Sequence, residues 1–194
     1  MTENKVYYGL SMAHIVPITA MTNGVPTYDT PFKFPGAVAW SPEPAGENST
    51  FRADNIDYYV SLGNNGYTGD FEVARVIDAF AKKILGAKNG TNGELIEVTQ
   101  AEATPFALII QIEGDKGAYR YVYPYCTATR ASAEHSTTEE GTIEPGTETI
   151  TITARPIKIG DHMVTRYRIA SDASNYDTIL STFSLPSIAS GTSA

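Results

Sequence analysis

The sequence predicts a mainly β fold with one short α-helix packed on the sheet, and three observations point there. Twelve tyrosines, 16 glycines and 11 prolines among 194 residues favour strands separated by many turns over long helices. Several segments alternate apolar and polar residues, the period of two expected of half-buried strands. One segment shifts instead to a helical period and ends at a glycine.

Taken in order, the first strand is expected near residues 6–10. Residues 11–31 follow as a long connection rich in Thr, Pro, Asn and Gly. Its apolar residues, Ile15, Val16, Ile18, Met21 and Val25, keep no steady period. A loop of this length is unusual inside a domain and often functional. Its apolar side chains are expected to be covered by a neighbouring subunit, the alternative being that they fold back on their own sheet. A second strand spans residues 32–41, interrupted at Pro35 and Gly36 as suits an edge or a bulge.

The block 53–86 is the most informative part of the chain. Ile56, Tyr58 and Val60 alternate with Asp57, Tyr59 and Ser61. Asn64, Asn65 and Gly66 tolerate positive φ and are predicted to close a hairpin. Phe71, Val73 and Arg75 then alternate with Glu72 and Ala74 in the returning strand. From Ile77 the spacing turns helical, with Ile77, Phe80, Ala81, Ile84 and Leu85 on one apolar face. Asp78 in the first turn, Lys82 and Lys83 in the last, and Gly86 just beyond agree with the helix dipole and a glycine C-cap.

Residues 106–112 (FALIIQI) are apolar on both faces, as in a strand covered on both sides. A turn at 114–117 leads to a strand with Tyr119, Tyr121, Tyr123 and Tyr125 on one face and Arg120, Val122 and Cys126 on the other. Pro124 marks an edge or an irregularity there. Residues 130–146 read as a polar, acidic loop. In 147–154, Glu148, Ile150 and Ile152 alternate with Thr149, Thr151 and Thr153. A final strand is expected over 163–170. Residues 171–194 hold one apolar cluster (Ile179, Leu180, Phe183, Leu185) and read as a C-terminal arm or frayed tail. The length fits a single domain over 1–194, with its core in about 5–170, and burial of roughly 70% of the unfolded surface.

The net charge is −8 and the pI about 4.8. Nucleic-acid binding needs a basic patch that displaces counterions, and the 14 Lys and Arg are scattered. The lone cysteine, Cys126, excludes an internal disulfide and reads as a small buried hydrophobe. No leader-like N-terminal stretch appears, and no run approaches the ~18 apolar residues of a membrane span, so assembly in a reducing cytoplasm and no membrane anchor are expected. His14, His135 and His162 are far apart, which gives a zinc site no support. Asp54 with Asp57, or Glu139 with Glu140, could pair as glycosidase carboxylates, but such pairs are usually solvated hairpin ends. The glycines of 63–69 lack the Gly-Lys-Ser/Thr that holds phosphate. No catalytic residue, metal or cofactor is predicted, and the chain does not read as an enzyme.

The order of these features resembles the major tail protein, or tail tube protein, of siphophages and prophages of Gram-positive bacteria. The segments that carry it are KVYYGLS at 5–11 with Ala13-His14-Ile15, PGAV at 35–38, and EPAGEN at 43–48. They continue with 53–69 and the helix ending Ile84-Leu85-Gly86, then PFAL at 105–108, Cys126-Thr127-Ala128 and ETITITA at 148–154. The similarity runs from about residue 5 to 156 and lies in order and spacing. It implies a β-sandwich or half-barrel forming hexameric rings that stack into a hollow tube, a conduit for DNA in the virion. DNA would pass through the lumen without specific binding. The other implied partners are tape measure, distal tail and tail terminator proteins. Glu43, Glu47, Asp54, Asp57, Asp70 and Glu72 are the candidates for an acidic lumen lining. Ile15, Val16, Ile18 and Met21, with Phe183 and Leu185, are the candidates for inter-ring contacts. The competing reading is a monomeric β-sandwich that binds carbohydrate or mediates adhesion through the tyrosine face.

Overall fold

The computed structural model describes residues 8–46, 49–53, 55–61, 63–114, 117–135, 137 and 145–188, without the side chains of 49–53 and 57–61. The chain enters through β1 (Leu10–Thr22), β2 (Val25–Tyr28), β3 (Phe32–Lys33) and β4 (Ala37–Ala45). β5 (Ser49–Ala53), β6 (Ile56–Ser61) and β7 (Gly66–Val73) follow, then the helix α1 (Asp78–Lys83) and the short pair β8 (Lys88–Asn89) and β9 (Leu95–Ile96). The second half contains β10 (Phe106–Ile112), β11 (Arg120–Ala128), β12 (Ser132–Ala133) and β13 (Glu148–Ala154). β14 (Ile157–Ile159), β15 (His162–Val164), β16 (Tyr167–Ile169) and a 3-10 turn at Thr178–Leu180 complete it.

The main sheet is antiparallel in the order β2-β1-β10-β11-β13-β7-β4, with β3 beside β1, β12 beside β13 and β16 beside β11. It curls on itself. Ile15 of β1, Leu108 of β10, Ile150 of β13 and Phe71 of β7 share one buried cluster although several strands separate them in the sheet. Trp40 of β4 meets Tyr123 of β11 edge-on at 5.6 Å, the same closure seen in rings. α1 plugs this concave side with Phe80 and Ile84, and Phe80 packs against Phe34 and Phe106. The helix is the one the periodicity predicts. Gly86 at φ +75 ends it in the left-handed region, where its Cβ-free backbone passes Ala101.

A second core lies on the other face of β1, β10 and β11, where Val16, Ala107, Ile109 and Val122 meet Ile169, Ile179 and Phe183. β10 is therefore buried on both faces, as its unbroken apolar run requires.

Several expectations are corrected. Residues 11–31 are mostly strand, since β1 and β2 form a hairpin turned by Asn23 (φ 52) and Gly24 (φ 80). β1 lacks a period because it is covered on both sides. Ile15, Val16 and Ile18 are 0%, 0% and 5% exposed within their own subunit, so no neighbour is needed to cover them. The hairpin expected at Asn64–Gly66 does not form. β6 instead pairs with β5, with Asn55 between them at φ 62, and β7 pairs with β4 and β13. Asn65 donates its N–H to the Ala45 carbonyl at 2.8 Å at the end of the β4–β7 pair, and β5 and β6 form a separate two-stranded sheet.

In β11, Cys126 joins Tyr123 in the concave core instead of facing with Val122. The β10 pairing shifts between Phe106↔Cys126 and Leu108↔Tyr123, so an extra residue beside Pro124 reverses the parity. The single strand expected over 163–170 is two: β15 pairs with β14, and β16 with β11. Residues 171–188 dock on the sheet instead of trailing as an arm; Ile179 is 2% exposed and Phe183 9%. The expected strand at 6–10 and the turn at 114–117 lie partly outside the described residues, as does the loop at 130–146.

Candidate functional site

Strand alternation sorts the β4–β7–β13–β11 arm into two faces. Phe71, Val73, Ile150, Ile152 and Ala154 point into the concave core. Their neighbours in sequence therefore occupy the opposite, solvent face. Register aligns these neighbours in rows: Ser41, Asp70 and Thr151; Ala39, Glu72 and Thr149; Glu43, Thr68, Thr153 and Thr127. Each row crosses at least three strands, and none contains Lys or Arg.

Hydrogen bonds hold the rows in place. Thr151 Oγ1 donates to Asp70 Oδ1 at 2.9 Å, and Thr147 Oγ1 donates to Glu72 Oε1 at 2.7 Å. Thr68 and Thr153 hydroxyls meet at 3.4 Å. Hydroxyls that donate to carboxylates leave a surface rich in acceptors and negative charge. Such a surface has nothing to offer a phosphate.

The sheet also ends in a managed edge. Pro42 and Pro44 of β4 stay paired with Gly69 and Tyr67 of β7. Their missing N–H groups therefore fall on the outward edge, which keeps carbonyl acceptors but loses two donors. Gly69 is needed opposite Pro42, because a Cβ there would lie 2.2 Å from the Ser41 carbonyl oxygen.

Of the six acidic candidates, the structure gathers Glu43, Asp70 and Glu72 on this one face. Glu47 and Asp54 lie outside the described residues, and Asp57 is described only by its backbone in β6, off the main sheet. Among the apolar candidates, Ile15, Val16 and Ile18 fill the subunit's own cores, and Met21 is 47% exposed beside the β1–β2 turn. Phe183 is buried against Tyr28, with ring centroids 4.4 Å apart, and Leu185 packs on the same cluster.

The tyrosine stripe is not an open platform, since Tyr123 is 2% exposed and both it and Tyr121 pack on the concave core. Cys126 is fully buried, and burial pushes its thiol above the usual range, so it stays protonated and inert. The threonine rows of β13 were the missed partners of the acidic face. Their signal was the Thr alternation itself, read above as the polar side of a strand and not as a surface.

A family model described as "Phage tail tube protein" matches residues 2–178. No curated protein sequence matches the chain. Among solved structures, one similar chain belongs to "Cryo-EM structure of the anti-feeding prophage (AFP) baseplate, 6-fold symmetrised", at 9% identity and a TM-score of 0.46. The match covers 89% of this chain and 100% of that one.

Proposed function

From the premise that the chain belongs to the phage tail tube protein family, we propose that it is the repeating subunit of a siphophage tail tube, with hosts among Gram-positive bacteria. Six copies form a ring, and rings stack into a hollow conduit through which DNA is ejected. The observation that carries this reading is the carboxylate and hydroxyl face of β4, β7, β13 and β11. Turned to the lumen, it repels the DNA phosphates and offers no cation to hold them, so the duplex slides without sticking. Glu43, Asp70 and Glu72 are the lumen residues in this arrangement.

Closure into a ring would cover the unpaired sheet edges that otherwise invite uncontrolled association. Lateral contacts are then heterologous, and stacking continues them as a filament. Tape measure, distal tail and terminator proteins would complete the tail, assembled in the host cytoplasm. Negative-stain electron microscopy of the purified chain over a concentration series tests the reading. Rings or hollow tubes are expected; a chain that stays monomeric and binds glycans would overturn it in favour of an adhesion module.

A further inference from the structure

Among the described residues, the buried polar or charged side chains are His14 and Arg120, 3% and 5% exposed, and both belong to the second core. Register places His14 in one cross-strand row, Lys33, His14, Ile109, Val122 and Tyr167, and sets Arg120 opposite Gln111, two residues farther along β10. Directly opposed residues point to one side of a sheet, and Ile109, Val122 and Tyr167 lie in or against the second core. His14 therefore points into that core, as does Val16 two residues on. The segment 171–188 covers it: Ile179 and Phe183 fill the core, and Ala173, Tyr176, Leu180 and Leu185 pack against it. Lifting the segment returns this face, His14 included, to water.

The two buried groups are met differently. Arg120 has Gln111 and the Tyr176 carbonyl as partners, whereas the Nδ1 of His14 has no hydrogen-bond partner. The groups around His14 also give a proton no counterion. β3 contributes Lys33, β11 Arg120, β16 Tyr167 and β2 Tyr28, and burial raises both tyrosines above the usual range so that they stay neutral. β10 contributes no titratable side chain. The segment contributes Tyr176 and Asp177, whose carboxylate is 94% exposed and lies by Arg120 at 3.7 Å. Burial first, then Lys33 and Arg120, disfavour the protonated ring.

We propose that His14 couples a proton to the release of the segment 171–188, so that proton uptake by its imidazole favours the lifted segment over the docked one. The sign follows from where the charge is tolerated. With the segment docked, the imidazolium is buried near two cations and lacks an acceptor. With the segment lifted, it is hydrated. Opening therefore takes up one proton, and its equilibrium constant rises as pH falls below 6.5, by up to about tenfold per unit, until the docked-state value is passed. The proton thereby decides whether Ile179 and Phe183 stay in the subunit's own core or are exposed. The inference does not depend on the tube reading.

Amide-exchange protection factors of the purified chain test it, measured between about pH 7.5 and 5.5, above the carboxylate range. At the upper end the segment should be less protected than β10, exchanging through an opening of its own. Below pH 6.5 its protection should fall by up to about tenfold per unit, and His14→Leu and His14→Gln should each flatten that fall. Protection of β10 shows whether each variant is folded, and the wild-type comparison of the segment with β10 needs no variant. Segment protection that holds constant over this range overturns the proposal, because opening then leaves His14 buried. A fall that both variants keep also overturns it, and assigns the proton to another group. Equal protection of the segment and β10 at every pH overturns it too, since the segment then has no separate opening.

Discussion

His14 is buried in β1 at 3% exposure, with its Nδ1 unpartnered. Burial, and then the charges of Lys33 and Arg120, hold its pKa below the ordinary 6.5. The unfolded chain therefore takes up a proton that the folded chain refuses, so stability falls as pH drops below 6.5 and stops falling below the folded-state value. Urea midpoints measured between about pH 7 and 5 should decline for the wild type. They should decline less for His14→Leu, and equal slopes would show that His14 does not carry the effect. Cys126 and Pro124 add a second lesson at this scale. One proline that cannot donate introduces a bulge, and the bulge decides which core receives the thiol.

The segment 171–188 is held on the sheet by its apolar residues and by one buried charged side chain. Arg120, 5% exposed, donates from Nε to Gln111 Oε1 at 2.9 Å and from Nη1 to the Tyr176 carbonyl. Its guanidinium also stacks 3.6 Å from the Tyr176 ring centroid, and the Tyr176 hydroxyl donates to the Ala118 carbonyl at 2.6 Å. The ion pair to Asp177 adds little, because that carboxylate is 94% exposed. Hydrogen bonds to a charged group are worth about 1.5–3 kcal/mol, so Arg120→Met should speed amide exchange in 171–188 by about 10–100-fold. Exchange in β10 should change far less. Uniform acceleration would mean that the segment and the sheet unfold as one unit.

For the whole molecule, the curled sheet separates an apolar concave side from a convex side that is apolar and covered over β1, β10 and β11 and acidic along the β4–β7–β13 arm. If the convex side lines the lumen, Glu43→Lys with Asp70→Lys and Glu72→Lys should leave tube length unchanged and reduce DNA delivery. Each substitution adds a phosphate contact where the wild type has repulsion, and the contacts multiply over stacked rings. Raising ionic strength should relieve part of the defect. Intact tubes with undiminished delivery would remove this face from the lumen.

Local pattern was enough for α1, whose apolar face, charged ends and terminal glycine are all within reach of neighbouring residues. It was also enough for β10, β13 and the mainly β composition, because period and side-chain type report directly on burial. Order and spacing together carried the family. Pairing was a tertiary decision. Asn23-Gly24 and Asn64-Asn65-Gly66 are both credible turns; the first joins β1 to its partner β2, while pairing of β6 with β5 and of β7 with β4 and β13 makes the second a link. The two cores were equally illegible, since a strand buried on both faces loses its alternation and looks like an apolar loop. Glu43, Asp70 and Glu72 became one surface only when register set β4 beside β7. Their placement depends on partners far away in the chain, and no local signal specifies those.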